Sequence, residues 1–481
     1  MAADIVMDSV PSTSVSGTSV SGTVDEYKGQ SHVSTTNACK LCTPLGATLA
    51  FKGVEGAIPF LHGSQGCATY MRRYIISHFR EPMDIASSSL GEKNAIYGGG
   101  PNLKKGLLNA MQKYGAGVIG VATTCLTETI GDDVGRLLAE FREEFKDLPL
   151  AELVHVSTPS YSGTHMDGFH GAVRAIVEQL CTEKAAANGR VNLLPGMVSP
   201  ADIRHLREIC RGFGVEPTIL PDYSETLDGP ALLEYENIPS GGTKVADIKA
   251  MGGARASIEL GRAITSQETA GTSLRKRFGV PLHSLGLPLG LRETDSFFAA
   301  LREITGRETP RDLALERGRY IDSLVDGHKY VSGLKAVVYG EEDMVIGLTS
   351  FLAEIGVRPV LVATGARNRG VAEHIQAIAG AAGGPVLRHM PIVREGADFF
   401  DIVEEAKTLS PDILVGHSKG QRAAREWNIP LLRVGFPIHD RFGGQRMLHL
   451  GYRGAQTLFD RLVNIVLEKK QTDSDIGYGY L

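Results

Sequence analysis

Short β-branched runs recur along this chain, each separated from the next by a longer stretch of helical periodicity. Residues 118–122, 153–156, 191–194, 217–220, 336–339, 359–362, 413–415 and 430–434 carry few polar side chains and read as buried parallel strands. Helices are predicted over 137–145, 201–213, 346–355 and 422–427. Such alternation builds doubly wound α/β units and excludes an all-β sandwich or a helix bundle. At 481 residues the chain exceeds what one core organises. Three Rossmann-like units are expected, over residues 37–187, 188–330 and 331–470. The first ends at Ala185-Ala-Ala-Asn-Gly189, and the third opens with Lys335-Ala-Val-Val-Tyr-Gly340, a strand leaving through glycine toward a helix. Ligands of open α/β sheets bind outside the carboxyl ends of strands, so the loops after strands are where chemistry belongs.

A formal charge of −5 makes no electrostatic case for nucleic acid or an anionic membrane. With 42% hydrophobic and 22% charged residues the composition is that of an ordinary soluble globular protein. No apolar run is long enough to span a bilayer, and no basic start with an apolar core marks a secretory signal. Six cysteines suit metal binding in a reducing cytoplasm better than a disulfide framework. Residues 1–36 repeat Thr-Ser-Val-Ser-Gly in tandem from Thr13 to Gly22 and are expected to be disordered. Residues 471–481 form a short polar tail ending in Gly-Tyr-Gly-Tyr-Leu, expected to fray in a free monomer and to offer its tyrosines to a partner.

Three cysteines stand apart in glycine- or threonine-rich loops: Cys42-Thr-Pro-Leu-Gly-Ala, His62-Gly-Ser-Gln-Gly-Cys67 and Thr123-Thr-Cys125-Leu-Thr-Glu. Their intervals of 25 and 58 residues are too wide for one local loop. They read as the ends of separate α/β units that converge in space, Cys125 directly after a predicted strand. Thiolates hold iron–sulfur clusters, and small neighbours let the backbone approach the inorganic sulfides. A simple cluster usually takes one thiolate more than these three, so another chain is expected to complete the set. Cys39 and Cys42 form a Cys-x-x-Cys, but no second pair or His-x₃₋₅-His completes a zinc site. Cys39 is a neighbour or stand-in for Cys42, while Cys181 and Cys210 fall in helical patterns as core residues.

These motifs, with Ser77-His-Phe-Arg-Glu-Pro82, Thr158-Pro-Ser-Tyr-Ser-Gly-Thr-His165 and Arg433-Val-Gly-Phe-Pro-Ile-His-Asp-Arg441, give the chain a family resemblance from about Asn37 to Gln471. It resembles the β-type subunits of the nitrogenase component 1 family. That family includes catalytic β chains and the NifN-type scaffold on which the iron–molybdenum cofactor is assembled. The resemblance implies three Rossmann-like domains around a cleft, and an iron–sulfur cluster held by Cys42, Cys67 and Cys125 and shared with a partner. Ser160 matches a serine that in some catalytic β chains ligates an oxidised iron; its bland reading is a turn serine after proline.

Two functions follow from the resemblance. As a NifN-like scaffold the chain pairs with a NifE-like subunit and carries a [4Fe-4S] cluster; some scaffolds keep only the Cys67-type position. As a catalytic β subunit it pairs with a NifD-like subunit and contributes half of an [8Fe-7S] P-cluster. Four segments resemble scaffold subunits more closely: Tyr70-Met-Arg-Arg-Tyr74, Leu194-Pro-Gly-Met-Val-Ser-Pro200, Pro221-Asp-Tyr-Ser-Glu-Thr-Leu-Asp-Gly229 and Asp326-Gly-His-Lys-Tyr330. The N-terminus also lacks the extension of the longer catalytic chains, and the scaffold is the reading the sequence favours. Either way the resemblance implies a cytoplasmic α2β2 heterotetramer, a cofactor pocket on the α-type subunit, and transient docking of an ATP-dependent NifH-like iron protein. Tyr97-Gly-Gly-Gly-Pro101 and Val415-Gly-His-Ser-Lys-Gly420 match neither a Walker A nor a dinucleotide fingerprint, so nucleotide binding by this chain is rejected. His62 and His165 are either hydrogen-bond donors beside a cluster or satisfied structural histidines.

Overall fold

Every predicted strand becomes a member of one of three all-parallel sheets in a computed structural model of the chain, which describes residues 39–476 apart from 162, 235, 381–386 and 388. The Ser/Thr/Gly segment 1–36 and the terminal tyrosines lie outside the described residues. The first sheet runs β2-β1-β3-β4, from β1 (Ala57–His62), β2 (Ala86–Ser87), β3 (Val118–Thr123) and β4 (Glu152–Val156). The second runs β6-β5-β7-β8, from β5 (Val191–Leu194), β6 (Pro217–Ile219), β7 (Ala256–Leu260) and β8 (Leu282–Leu285). The third runs β11-β10-β9-β12-β13, from β9 (Lys335–Gly340), β10 (Arg358–Thr364), β11 (Ile392–Arg394), β12 (Ile413–Gly416) and β13 (Leu431–Arg433). All three orders reverse direction once, between β1 and β3, β5 and β7, and β9 and β12. That reversal is the switch point of a doubly wound Rossmann-like sheet.

Strands β1, β3, β5 and β7 are buried along their whole length and β9 in all but its first residue, as an apolar run with helices on both faces requires. One sheet falls in each of the segments 37–187, 188–330 and 331–470, yet the described residues pack as one compact unit. Phe79, Val198 and Glu341, one from each segment, line a common small cavity. The last helix, Gly451–Asp473, carries helical structure past the expected boundary at 470. No helix among the described residues is long and apolar enough to cross a membrane.

Helix packing around the first sheet depends on absent side chains. Helix Thr43–Lys52 lies over the middle of β3, where the Phe51 ring occupies the place a Gly120 Cβ would take, 2.1 Å away. The same helix crosses helix His165–Leu180 at two glycines. A Cβ on Gly46 would sit 1.6 Å from the His165 carbonyl oxygen, and one on Gly168 would sit 1.8 Å from that of Thr43. Only glycine allows so close an approach.

Candidate functional site

Cys67 follows β1 and Cys125 follows β3, so they flank the switch point of the first sheet. Cys67 is the third residue of helix Gln65–Phe79, with the Ser64 hydroxyl donating toward its sulfur at 3.6 Å. Cys125 opens helix Cys125–Ile130 behind a reciprocal Thr124–Thr127 cap. Cys42 is the capping residue of helix Thr43–Lys52 and reaches the same place from the chain's start. Its thiol interacts electrostatically with those of Cys125 and Cys67, and the Ser160 hydroxyl hydrogen-bonds to it. The structure thus brings together the four residues that the sequence singled out. Cys42 and Cys125 are exposed and Cys67 is half-buried, so the cluster of thiols opens at the surface.

Hydrogen bonds between strand ends hold this mouth. The His62 carbonyl accepts from the hydroxyls of Thr124 (3.2 Å) and Thr127 (2.9 Å), tying the Cys67 loop to the Cys125 loop. A Cβ on Gly63 would strike the Thr124 side chain at 2.2 Å, so that glycine is needed for the two loops to meet. Thr158 donates its N–H to the Thr123 hydroxyl (2.7 Å) and its own hydroxyl to the Thr123 carbonyl (2.6 Å), joining the ends of β3 and β4. Two residues on, Ser160 Oγ accepts the Thr43 N–H at 3.1 Å. The helix that starts after Cys42 is therefore capped from a loop over a hundred residues away.

Although Cys42 is exposed at the mouth, the protein packed around its thiol partly desolvates it and raises it above its ordinary range, while the Ser160 hydrogen bond and the Lys40 charge pull it back. Cys42 also sits at the start of a full-length helix, whose N-terminus carries partial positive charge that favours its thiolate. Among the described residues, no three His, Cys, Asp or Glu side chains approach closely enough to chelate one metal ion.

Other sequence candidates take structural places. His62 is fully buried, its ring held by Ser88 (3.0 Å) and Asp132 (3.1 Å). Asp132 also accepts the Gly99 N–H (3.0 Å), so that amide of the Tyr97–Pro101 glycine run is already engaged inside the protein. Cys181 and Cys210 are core residues. Cys39 is no stand-in for Cys42: it is buried against the third sheet, its sulfur 3.5 Å from His417 Nε2. Sequence spacing alone made the two cysteines equivalent; the chain turns between them and sends each to a different sheet.

The sequence of this fold matches the family model described as nitrogenase component 1 type oxidoreductase over residues 42–467. The chain belongs to the nitrogenase component 1 family. Within it the chain is of β type: the nitrogenase molybdenum-iron protein beta chain of Clostridium pasteurianum is 37% identical over 434 residues, covering 90% of this chain and 93% of that one. The beta chain of Methanothermobacter thermautotrophicus is 36% identical, covering 90% and 94%. A solved chain described as nitrogenase Cp1 at pH 6.5 superposes with a TM-score of 0.89 at 35% identity, covering 94% of this chain and 98% of its own. A second solved chain, described as nitrogenase Cp1 at pH 5, shares the fold at 16% identity with a TM-score of 0.67.

Proposed function

We propose that this chain is the β subunit of a nitrogenase-type reductase, and that Cys42, Cys67, Cys125 and Ser160 are its half of an [8Fe-7S] P-cluster shared with an α-type subunit. The observation that carries this reading is the meeting of three thiols and one hydroxyl at an exposed switch point. A [4Fe-4S] scaffold site of the kind that keeps only the Cys67-type position has no use for all four. Thiols near enough to interact, yet too far apart to chelate one ion, would suit a polynuclear cluster better than a single metal ion. When bound, such a cluster passes single electrons.

The residues themselves do three things. Cys42, Cys67 and Cys125 present their sulfurs on loops cross-tied by hydroxyl–carbonyl bonds, so the ligands are held apart at a set spacing. Ser160 holds the Thr43 amide and the Cys42 thiol, and as an alkoxide it is a hard donor matched to oxidised iron. Tyr70, three residues after Cys67, and Tyr161, beside Ser160, stand exposed, an apolar rim suited to burial by the α-type partner. Held by these residues, such a cluster would relay electrons between an ATP-dependent iron protein docked on the complex and a cofactor on the α-type partner.

A NifN-like scaffold is the second reading, favoured by the four segments already named. Chain length does not separate the two readings, because the catalytic beta chain of Clostridium pasteurianum is matched over 93% of its length. The test is to purify the chain with its α-type partner without oxygen, and to count iron and record electron paramagnetic resonance of the interfacial centre. An eight-iron centre and substrate reduction by this complex support the catalytic reading. A four-iron cube, with a deletion strain whose extracts recover activity on adding isolated cofactor, would move the assignment to the scaffold. Replacing Cys67 by Ala is expected to bleach the charge-transfer absorbance near roughly 400 nm that thiolate-held clusters show.

A further inference from the structure

The switch point of the third sheet, between β9 and β12, is the crevice where an open α/β sheet ordinarily takes a ligand. Here the chain fills it with its own residues 39–41. Cys39 donates its N–H to the Ala397 carbonyl at 3.4 Å, and its sulfur meets His417, the residue after β12. A Cβ on Gly365 would fall 2.5 Å from the Cys39 backbone, so the segment lies tight against the end of β10. Burial pushes the Cys39 thiol up to about 12, and its place beside His417 against the third sheet makes it an anchor away from the exposed mouth at Cys42.

Leu41, the residue before Cys42, is gripped on both sides by one histidine. Its N–H donates to His165 Nδ1 at 3.3 Å, and its carbonyl accepts the His165 N–H at 3.0 Å. With Nδ1 accepting, the neutral ring carries its proton on Nε2, by hydrogen-bond assignment. Nε2 faces Glu341 Oε1 at 3.6 Å, both side chains being almost wholly buried. Glu341 is the residue after β9, and it also accepts the Phe436 N–H at 3.3 Å. A carboxylate beside Nε2 selects the tautomer that leaves Nδ1 free to hold Leu41.

We propose that His165, oriented by Glu341, is a positioning residue for Cys42, and that the self-filled switch point of the third sheet is the platform from which it acts. The peptides on both sides of Cys42 are then held, Leu41 by His165 and Thr43 by Ser160. The claim deepens the cluster reading above and rests on it only for its redox arm.

The first arm uses the full chain without iron and measures the alkylation rate of each cysteine by mass spectrometry. His165→Leu is expected to speed labelling of Cys42 several-fold while Cys125 keeps its rate. His165→Asn, whose side-chain oxygen can accept from Leu41, is expected to restore the slow rate. Equal Cys42 rates in wild type and His165→Leu overturn the proposal, as does failure of His165→Asn to restore them. If His165→Leu unfolds the chain, buried Cys210 becomes reactive too, and Glu341→Gln, which keeps size but removes the tautomer-selecting charge, decides in its place by the same criterion. In the loaded complex the midpoint potential of the interfacial centre should shift in His165→Leu and return in His165→Asn; an unchanged potential counts against the proposal. A wild-type complex without iron would overturn the cluster reading, and the alkylation arm would still decide this one.

Discussion

Ser160 shows how much one hydroxyl carries at this site. It caps the first N–H of helix Thr43–Lys52 and hydrogen-bonds to the Cys42 thiol, lowering that thiol's affinity for its proton. Ser160→Ala removes both contacts. Loss of a capping acceptor costs about 1 kcal/mol, read as a lower denaturation midpoint in urea. The second effect is independent of stability: without the hydroxyl, the pH at which Cys42 becomes half-reactive to iodoacetamide should rise. A midpoint that falls or stays in place would show that Ser160 does not act on the thiol.

Glycines decide whether the helices under the site can meet. At Gly46 and Gly168 an added methyl would fall inside the backbone of the opposing helix, with nothing flexible to yield. Gly46→Ala is expected to destabilise by about 3 kcal/mol, the upper end of ordinary overpacking, because a backbone carbonyl must move. Gly318, inside helix Arg311–Val331, has nothing within 4 Å of the place a Cβ would take. Gly318→Ala should therefore stabilise by about 0.5–1 kcal/mol through helix propensity and the entropy of the unfolded chain. Equilibrium unfolding of the two variants side by side tests the contrast; equal effects would contradict the crossing geometry.

At the scale of the whole molecule, buried titrating groups set a pH of greatest stability. Burial lowers His78 to about 3 and His170 and His417 to about 4. The unfolded chain protonates these rings near 6.5, so it binds more protons than the folded chain between about 4 and 6.5, and stability rises with pH there. Two carboxyls act in the opposite sense: burial raises Glu342 to about 8 and Glu354 to about 7. From about 4.5 up to those values the folded chain holds protons that the unfolded chain has released, so they lower stability as pH rises. Above pH 6.5 the histidine gain is complete while these losses continue, which places the maximum near 6.5. Glu354 accepts the Leu291 N–H (2.8 Å) and the Arg292 N–H (3.1 Å), linking the end of helix Glu342–Glu354 to the start of helix Gly290–Thr305. Glu354→Gln should gain on the wild type by about 1–3 kcal/mol between pH 5 and 7.5, measured by chemical denaturation across that range. A constant difference between the two proteins would refute the protonation argument.

The α/β class and the three parallel sheets were legible in the sequence, because a strand buried on both faces must be apolar throughout, and loops after such strands are where candidate ligands are sought. Cys125 was placed after its strand for that reason, whereas Cys67 follows β1 and stood out only by its glycine-rich surroundings. Strands β1, β2, β7, β8 and β11 escaped: Pro59 interrupts the apolar run of β1, Glu259 that of β7, and β2 is two residues long. Only the tertiary structure distinguished Cys39 from Cys42, which sit three positions apart in one motif yet face different sheets. It alone paired Leu41 with His165, Thr43 with Ser160 and Gly46 with the His165 carbonyl. Local pattern records whether a segment is a strand or a helix, since that depends on near neighbours. Which loop end meets which is decided by packing between residues more than a hundred positions apart, and no periodicity in the chain encodes it.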